Sequence, residues 1–557
     1  MRKDAAAIPN SLTRNGQEVF PSSATTAAAN LRERSHSPSK PDKSNRNSCS
    51  PLNIAGLVAN LIILSITLFA YSAEEKLRNE VQEKCKNNPQ LGNTFQQMHA
   101  QHSLPMPDRP MTKRREQEQT TTEAPDFHII FSTGCSAKQD LQAYVLFHSI
   151  MESGQTGHAT RIASGCPDDR TIKLREIFEK QIKIMAPERF HLHVTPEFGK
   201  VRNDKTGKVD TFHYLNKPYG TAHWMEHVLG YSPTTPSTRH DETIVVLLDP
   251  DMILVRPFIN DFSDSEEIWR ERTTYPHINK IRHGYPMAAE YGYSIAWYLG
   301  VNDIRDVVPA NELPSPVSNM TKKQLTENYT CGPPYMATAR DFYKLAAKWR
   351  QFSLPVLKLF PDNILAEMYA YSWAAAHLNM PHQTAHSFMV SQYPEAGFQL
   401  FDNKDYQPEQ VCRGIPRQSR PHVLHYCQRY ALGKYILGKH RLPQSFVGQE
   451  DPAKVCESPL LAEPPDNFAA LFDYFIDPDP PHYRTDIKAS KFGSNTKQDN
   501  INHLAYLICE ESGALNRAAL YYKQQHCDAA TVNTAKTLIF HETLEISPEE
   551  LNNFKPA

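Results

Sequence analysis

The stretch that decides the fold is Glu242-Thr-Ile-Val-Val-Leu-Leu-Asp249-Pro250-Asp251-Met-Ile-Leu-Val-Arg256-Pro257. Apolar residues run unbroken from Ile244 to Leu248 and stop at two carboxylates flanking a proline. A run of that length fits a buried strand and is too short for an ordinary helix. Pro250 has no N–H to give a sheet ladder, so the strand ends there. Two carboxylates at the carboxyl end of a buried strand stand where open α/β sheets bind ligands, and they suit a hard divalent cation. Asp-Pro-Asp is also ordinary turn chemistry, with each carboxylate capping the next piece of backbone. The surroundings decide between these readings.

On both sides of this stretch, strand and helix signals alternate. Asp126-Phe-His-Ile-Ile-Phe-Ser-Thr-Gly134 reads as a first strand ending in a small-residue turn. Helix is expected over 142–153, a second strand over 189–194, and helix again over 219–229 before the central strand at 242–249. Met287-Ala-Ala-Glu-Tyr-Gly-Tyr293 is a further short extended piece. Two amphipathic helices come next. One covers 340–349, with Phe342, Leu345 and Trp349 on one face; the other covers 363–378, with Ile364, Met368, Tyr371 and Ala375 aligned. Glu367 sits at the edge of the second stripe, from which a carboxylate can reach a cleft, although most glutamates so placed face solvent. This alternation is that of a doubly wound α/β sheet.

The chain has 557 residues, which one large α/β domain with appendages accounts for. A net charge of −2 argues against a protein that coats nucleic acid, and no nucleic-acid partner is expected. Its 24 histidines and 42 prolines point to a loop-rich protein and away from a helical bundle. Residues 1–51, poor in large apolar side chains, have the composition of a disordered cytosolic tail. From Ile54 to Tyr71 the sequence is uncharged, mostly apolar and about long enough to cross a bilayer. It begins too deep for a cleaved signal, so an uncleaved signal-anchor over 52–73 is expected.

Basic residues flank this segment on both sides: Lys40, Lys43 and Arg46 before it, Lys76, Arg78, Lys84 and Lys86 after it. The positive-inside count therefore leaves orientation open. Every cysteine but Cys49 lies beyond the anchor, as do the sequons Asn319-Met-Thr321 and Asn328-Tyr-Thr330. Both features point to a lumenal head on a single-pass type II protein of the ER or Golgi membrane. Residues 74–125 read as a stem, in which Cys85 is the odd cysteine and a candidate for a disulfide-linked homodimer. From 446 to 557 prolines cluster, and helical pieces lie at 502–509 and 514–525. This reads as a mostly helical C-terminal extension packed on the head, with no identifiable chemistry.

Five motifs in order carry a resemblance: Leu215-Asn-Lys-Pro-Tyr-Gly-Thr-Ala-His-Trp224, Leu248-Asp-Pro-Asp-Met-Ile253, Ala288-Ala-Glu-Tyr-Gly-Tyr293, Glu367-Met-Tyr-Ala-Tyr371 and Leu424-His-Tyr426. Together they resemble the peptidyl serine α-galactosyltransferase and hydroxyproline O-arabinosyltransferase group of plants and algae. The first strand and the Asp-Pro-Asp strand look closer to the serine galactosyltransferase branch. The resemblance implies a GT-A, Rossmann-like glycosyltransferase head over 126–445 that binds a UDP-sugar and usually a manganese ion. It implies Asp249 and Asp251 as the Asp-x-Asp pair and His425 as a third metal ligand, with His422 as the competing choice.

The same resemblance puts Asn216 and Lys217 in a donor-proximal loop. There Lys217 offsets diphosphate charge, a solvated surface lysine being the alternative. Tyr291 and Gly292 are implied at the sugar pocket, Gly292 by letting backbone approach closely. Glu367 is the candidate carboxylate beside the acceptor hydroxyl. An imidazole ligand favours Mn²⁺ over Mg²⁺, and the cation would act as a Lewis acid on the departing phosphate. Both activities of the group retain anomeric configuration, by front-face attack or through a glycosyl–enzyme intermediate.

The implied acceptor is serine or hydroxyproline of a secreted or cell-wall glycoprotein, and the implied sugar is galactose or arabinofuranose. The loop Glu312-Leu-Pro-Ser-Pro316 is a candidate for acceptor choice. Pro250 and Cys427 depart from the group's pattern. Two other readings stand beside this one. The first is a transferase acting on a glycan. The second is a membrane-tethered binding protein that kept the fold and lost catalysis, which predicts a broken metal motif.

Overall fold

The computed structural model describes residues 126–537 apart from 203–206, 362, 392–395, 400–406, 433–434, 441, 449–450, 472–496 and 531. The tail, anchor and stem expected over 1–125, Cys85 included, lie outside the described residues. Among the described residues no helix is long and apolar enough to cross a membrane. All of them belong to one compact unit.

Three strands, β1 (Phe127–Thr133), β2 (His158–Ser164) and β3 (Phe190–Thr195), run parallel and step outward in that order. A small antiparallel pair, β4 (Lys200–Arg202) and β5 (Val209–Thr211), comes after them. The chain then crosses back, and β6 (Ile244–Leu248) pairs in parallel with the other edge of β1. β7 (Met252–Leu254) leaves for a second sheet, while β8 (Met287–Glu290), β9 (Cys331–Thr338) and β10 (Gln383–Ala385) complete the first. The order is β10-β8-β9-β6-β1-β2-β3, with only β9 antiparallel to its neighbours. The result is a mixed α/β unit with a mostly parallel sheet. Chain direction across the sheet reverses between β1 and β6, the point at which such sheets open a crevice for ligands.

All five residues of β6 are buried, as a strand covered on both faces requires. Ile129, Phe131, Val246 and Leu248 join one core with Phe147 of α1 (Ala137–Glu152). Ile130, Val245 and Leu247 join the other core, with Trp224, Trp349 and Trp373. Those tryptophans come from α3 (Asn216–His227), α5 (Ala339–Leu359) and α6 (Ala366–His377); α2 (Asp168–Ile177) and α4 (Lys322–Tyr329) are shorter.

Two of the longer strands escape the sequence patterns. β2 carries Arg161 in its centre, fully buried and 2.9 Å from the Asp140 carboxylate, and so reads as polar. β9 carries Pro333 and Pro334, which normally argue against a central strand. Here the β6 pairing ends at Leu247 opposite Tyr335, while the β8 partner jumps from Tyr335 to Gly332 across a register shift. The two prolines fall in that gap, where no ladder N–H is needed.

The expected helix at 363–378 begins only at Ala366, so Ile364 lies outside the apolar stripe and is 70% exposed. The two helical pieces expected near the C-terminus are one helix, α7 (Lys497–His526). Gly513 inside it costs about 1 kcal/mol against alanine, offset by burying Leu507, Ile508, Leu515 and Ala518 in the first core. Disulfides Cys412–Cys509 and Cys456–Cys527 tie this region down, and Cys135–Cys166 ties the sheet end.

Cys331 and Cys427 are unpaired. The parity that singled out Cys85 therefore fails, and nothing supports a homodimer through it. The two sequons also differ. Asn319 is exposed, whereas Asn328 is fully buried with its Nδ2 donating to Thr274 Oγ1 and the Gln324 carbonyl. A glycan on Asn328 is incompatible with this fold.

Candidate active site

A cleft of about 900 Å³ opens at the switch point. Ser132, Thr133 and Gly134 line it from the end of β1, and Asp249, Pro250 and Asp251 from the end of β6. Both strands stop here because their apolar runs stop, so the polar residues beyond them emerge side by side.

One wall belongs to Asp249. Lys217, in the first turn of α3, lies 2.6 Å from Asp249 Oδ1 and 2.9 Å from Glu367 Oε1 in the first turn of α6. Trp349 Nε1 donates to the Glu367 carbonyl at 2.7 Å and fixes that turn. Burial pulls the Lys217 pKa down, but the two carboxylates outweigh it and hold the ammonium above the usual lysine range. Burial pushes the Glu367 carboxyl up, against the pull of Lys217 and with help from the Asp249 charge. One cation thus serves two carboxylates, and Glu367 Oε2 is buried without a hydrogen-bond partner.

The other wall belongs to Asp251. β11 (Met389–Val390) and β12 (Val423–His425) form a three-stranded sheet with β7, in which His425 registers against Met252. That register sets His425 Nε2 3.2 Å from Asp251 Oδ1. The antiparallel pair β13 (Arg429–Leu432) and β14 (Tyr435–Gly438) comes next, and Lys439 just beyond it lies 2.5 Å from Asp251 Oδ2. Burial would raise the Asp251 pKa, but His425 and Lys439 overcome it and hold the carboxylate well below its ordinary range. Burial likewise opposes charge on His425, and Asp251 reverses this, raising the imidazole well above its usual value. Here one carboxylate serves two cations.

The donor chemistry around Asp251 suits a divalent cation. A carboxylate oxygen and an imidazole nitrogen 3.2 Å apart can share one ion. Asp249 faces the same cleft with Oδ1 engaged by Lys217. Among the described residues no three of His, Cys, Asp and Glu converge as a ligand set. Asp251 and His425 thus fit as a pair, and Asp249 joins them only when Lys217 releases it.

The remaining candidates separate. Asn216 lines the cleft, but its amide donates to Glu197 Oε1 at 3.0 Å and accepts from the Phe198 N–H at 2.9 Å, so it also braces its own loop. Tyr291 lines the cleft; Gly292 is not among the lining residues, and a Cβ there would meet no atom within 4 Å. His422 is stacked on Phe258 and lies 3.1 Å from Glu267, in a buried polar cluster with Arg256. That engagement leaves His425 as the histidine beside Asp251. Glu312 pairs with Lys348 and His377 on α5 and α6, and its loop is not among the residues lining the cleft. Lys439 and the exposed Tyr214 sit in no motif, so sequence reasoning misses them; Ile364, which its spacing assigns to an apolar stripe, is instead exposed at the cleft.

The chain is 26% identical over 318 residues to the peptidyl serine alpha-galactosyltransferase of Arabidopsis thaliana. It resembles a peptidyl serine galactosyltransferase. The match takes in 56% of this chain and 31% of that protein, so the chain spans about a third of the relative's length. No protein-family model matches. Two solved structures align with it: the galactosyltransferase LgtC in complex with donor and acceptor sugar analogues, and the bifunctional glycosyltransferase WbbM in its apo form. LgtC is 11% identical, covering 54% of this chain and 87% of its own, at a TM-score of 0.27. WbbM is 8% identical, covering 56% of this chain and 47% of its own, also at 0.27. Scores this low carry no argument. The likeness to the plant galactosyltransferase is what bears on the cleft.

Proposed function

We propose that this chain is a retaining glycosyltransferase of GT-A type that moves a sugar from a UDP-sugar to a serine hydroxyl of a protein in the secretory pathway. The single observation that carries the reading is the opposed charge order of the two walls. The Asp251 wall sets two cations around one carboxylate; the Asp249 wall sets two carboxylates around one cation. Nucleotide–sugar transfer needs both kinds of wall, because negative charge gathers on the departing diphosphate while positive charge gathers on the sugar ring.

Lys439 would face the diphosphate, and Glu367 the sugar and the acceptor. The bond from the anomeric carbon to phosphate oxygen breaks with its electron pair going to phosphate. The acceptor oxygen bonds to that carbon on the same face, and its proton passes to the departing phosphate oxygen. Glu367 Oε2, buried and unpartnered, is free to oppose positive charge on the ring. Lys217 holds Glu367 in place. A divalent ion, Mn²⁺ before Mg²⁺, would be held by Asp251 and His425 with Asp249, and when bound would draw charge from the diphosphate.

The three disulfides suit an oxidising lumen, in keeping with a type II anchor at 52–73 in the ER or Golgi membrane. The name of the plant relative favours serine and galactose over hydroxyproline and arabinofuranose. The test is sugar transfer by the purified chain to a serine-bearing peptide, with UDP-galactose and UDP-arabinofuranose, with Mn²⁺ and with chelator. Transfer of one sugar, lost with chelator and in Asp251→Asn, is the expected outcome. No transfer from any UDP-sugar by a folded chain contradicts the reading.

A further inference from the structure

The C-terminal helix α7 carries a group that the proposed chemistry does not use. Glu511 is fully buried, and both of its carboxyl oxygens lack a hydrogen-bond partner. A buried carboxyl without partners is costly and uncommon, and such a group calls for an explanation in what surrounds it.

The direction of Glu511 is set by its neighbours. Cys509 is bonded to Cys412, and Glu510 holds Arg420 at 2.6 Å in the segment that leads into β12. With those two residues tied, the helix has no freedom to turn Glu511 to solvent. Tyr426, just past the end of β12, packs in the same core as Leu507, Ile508 and Leu515 of α7, and Glu511 on that helix lies within electrostatic reach of His425, Tyr426 and Cys427. Two of those residues have a buried polar atom without a partner: His425 Nδ1 and Tyr426 Oη. Nε2 of His425 is turned to Asp251 and the Cys427 thiol also bears on the ring, yet Nδ1 has no hydrogen-bond partner.

We propose that Glu511 is a positioning residue for the cleft: from the C-terminal helix it holds the His425 ring through Nδ1 across one buried water, and so presents Nε2 to Asp251. A carboxyl behind a working imidazole fixes the ring's orientation, and buried water commonly links such groups. The segment that looks in sequence like an inert extension thereby completes the site. The inference rests on the proposed function only for what His425 faces.

The experiment uses the whole chain with histidine rings ¹³C-labelled, the His425 resonance being identified by its loss in His425→Ala. In Glu511→Leu that resonance moves before any ligand is added; an unmoved resonance overturns the proposal. UDP affinity in the presence of Mn²⁺ is then measured in a double-mutant cycle. Glu511→Leu weakens it roughly 10-fold in the native background and less than about 2-fold in His425→Ala, as expected for one residue acting through the other. Glu511→Gln, which keeps an acceptor oxygen, recovers most of the affinity.

Equal losses in both backgrounds, or no loss in either, overturn the proposal. Should Glu511→Leu not fold, Glu511→Gln decides, because a new group behind Nδ1 must still move the His425 resonance. A native chain that binds no UDP contradicts the proposed function alone; the resonance still decides this inference.

Discussion

The two walls of the cleft are built in opposite ways. The Asp249 wall draws on three local motifs, each at the start of a helix or the end of a strand, and encloses one ammonium between two carboxylates. The Asp251 wall draws on a strand register, a hairpin and a distant helix, and encloses one carboxylate between two cations. A wall whose parts each announce themselves locally can be read from sequence. A wall assembled by tertiary packing cannot, even when its chemistry is just as demanding.

The largest expected effect comes from removing the centre of the second wall. Asp251→Asn leaves His425 and Lys439 without their counter-charge, and sugar transfer should fall at least about 10³-fold, on the scale of a lost electrostatic group at a reacting centre. Transfer assays on the purified variant check this; activity within about tenfold of native would break the symmetry between the walls.

Removing the centre of the first wall is the matching experiment. Lys217→Met strands Asp249 and Glu367 on a partly exposed cleft wall, and leaving such charged groups without their partner costs about 1–3 kcal/mol. Thermal unfolding should show the loss, with transfer falling about 10²-fold. A Lys217→Met, Glu367→Gln double variant should recover part of the stability, because fewer charges are then left unpaired.

A smaller effect concerns the fold around both walls. Burial, with the nearby His158 and His191, pushes the His128 pKa down to about 3, and burial pushes His382 to the same value. Both folded values lie below the ordinary 6.5, so the unfolded chain takes up protons first as pH falls. The stability they protect is complete above about pH 6.5 and declines toward pH 3. The unfolding temperature should drop by roughly 5 °C between pH 7 and pH 5. His128→Phe should make that slope shallower.

Much of the fold is legible in the sequence. The burial of Ile244–Leu248, the reversal at Asp-Pro-Asp and the helices carrying Lys217 and Glu367 all come from local apolar pattern and punctuation. β9 is not legible, because Pro333 and Pro334 signal a break unless the register shift opposite them is known. Nor is β2, since a buried Arg161 reads as surface until Asp140 is seen beside it. In the site, His425 and His422 look alike in sequence, and only the pairing of β12 with β7 separates them. Lys439 and Glu511 carry no local signal at all. Their significance lies in partners 188 and 86 residues away (439 − 251 and 511 − 425).

The most direct test of the opposed walls is to measure UDP affinity and single-turnover transfer rate side by side in Lys439→Met and Glu367→Gln. The account predicts that Lys439→Met weakens UDP binding roughly tenfold with a smaller loss in rate, and that Glu367→Gln keeps UDP binding within about threefold while its rate falls about 10²-fold. The opposite partition, with UDP affinity tracking Glu367 and rate tracking Lys439, would contradict the assignment of diphosphate to the Asp251 wall and sugar to the Asp249 wall.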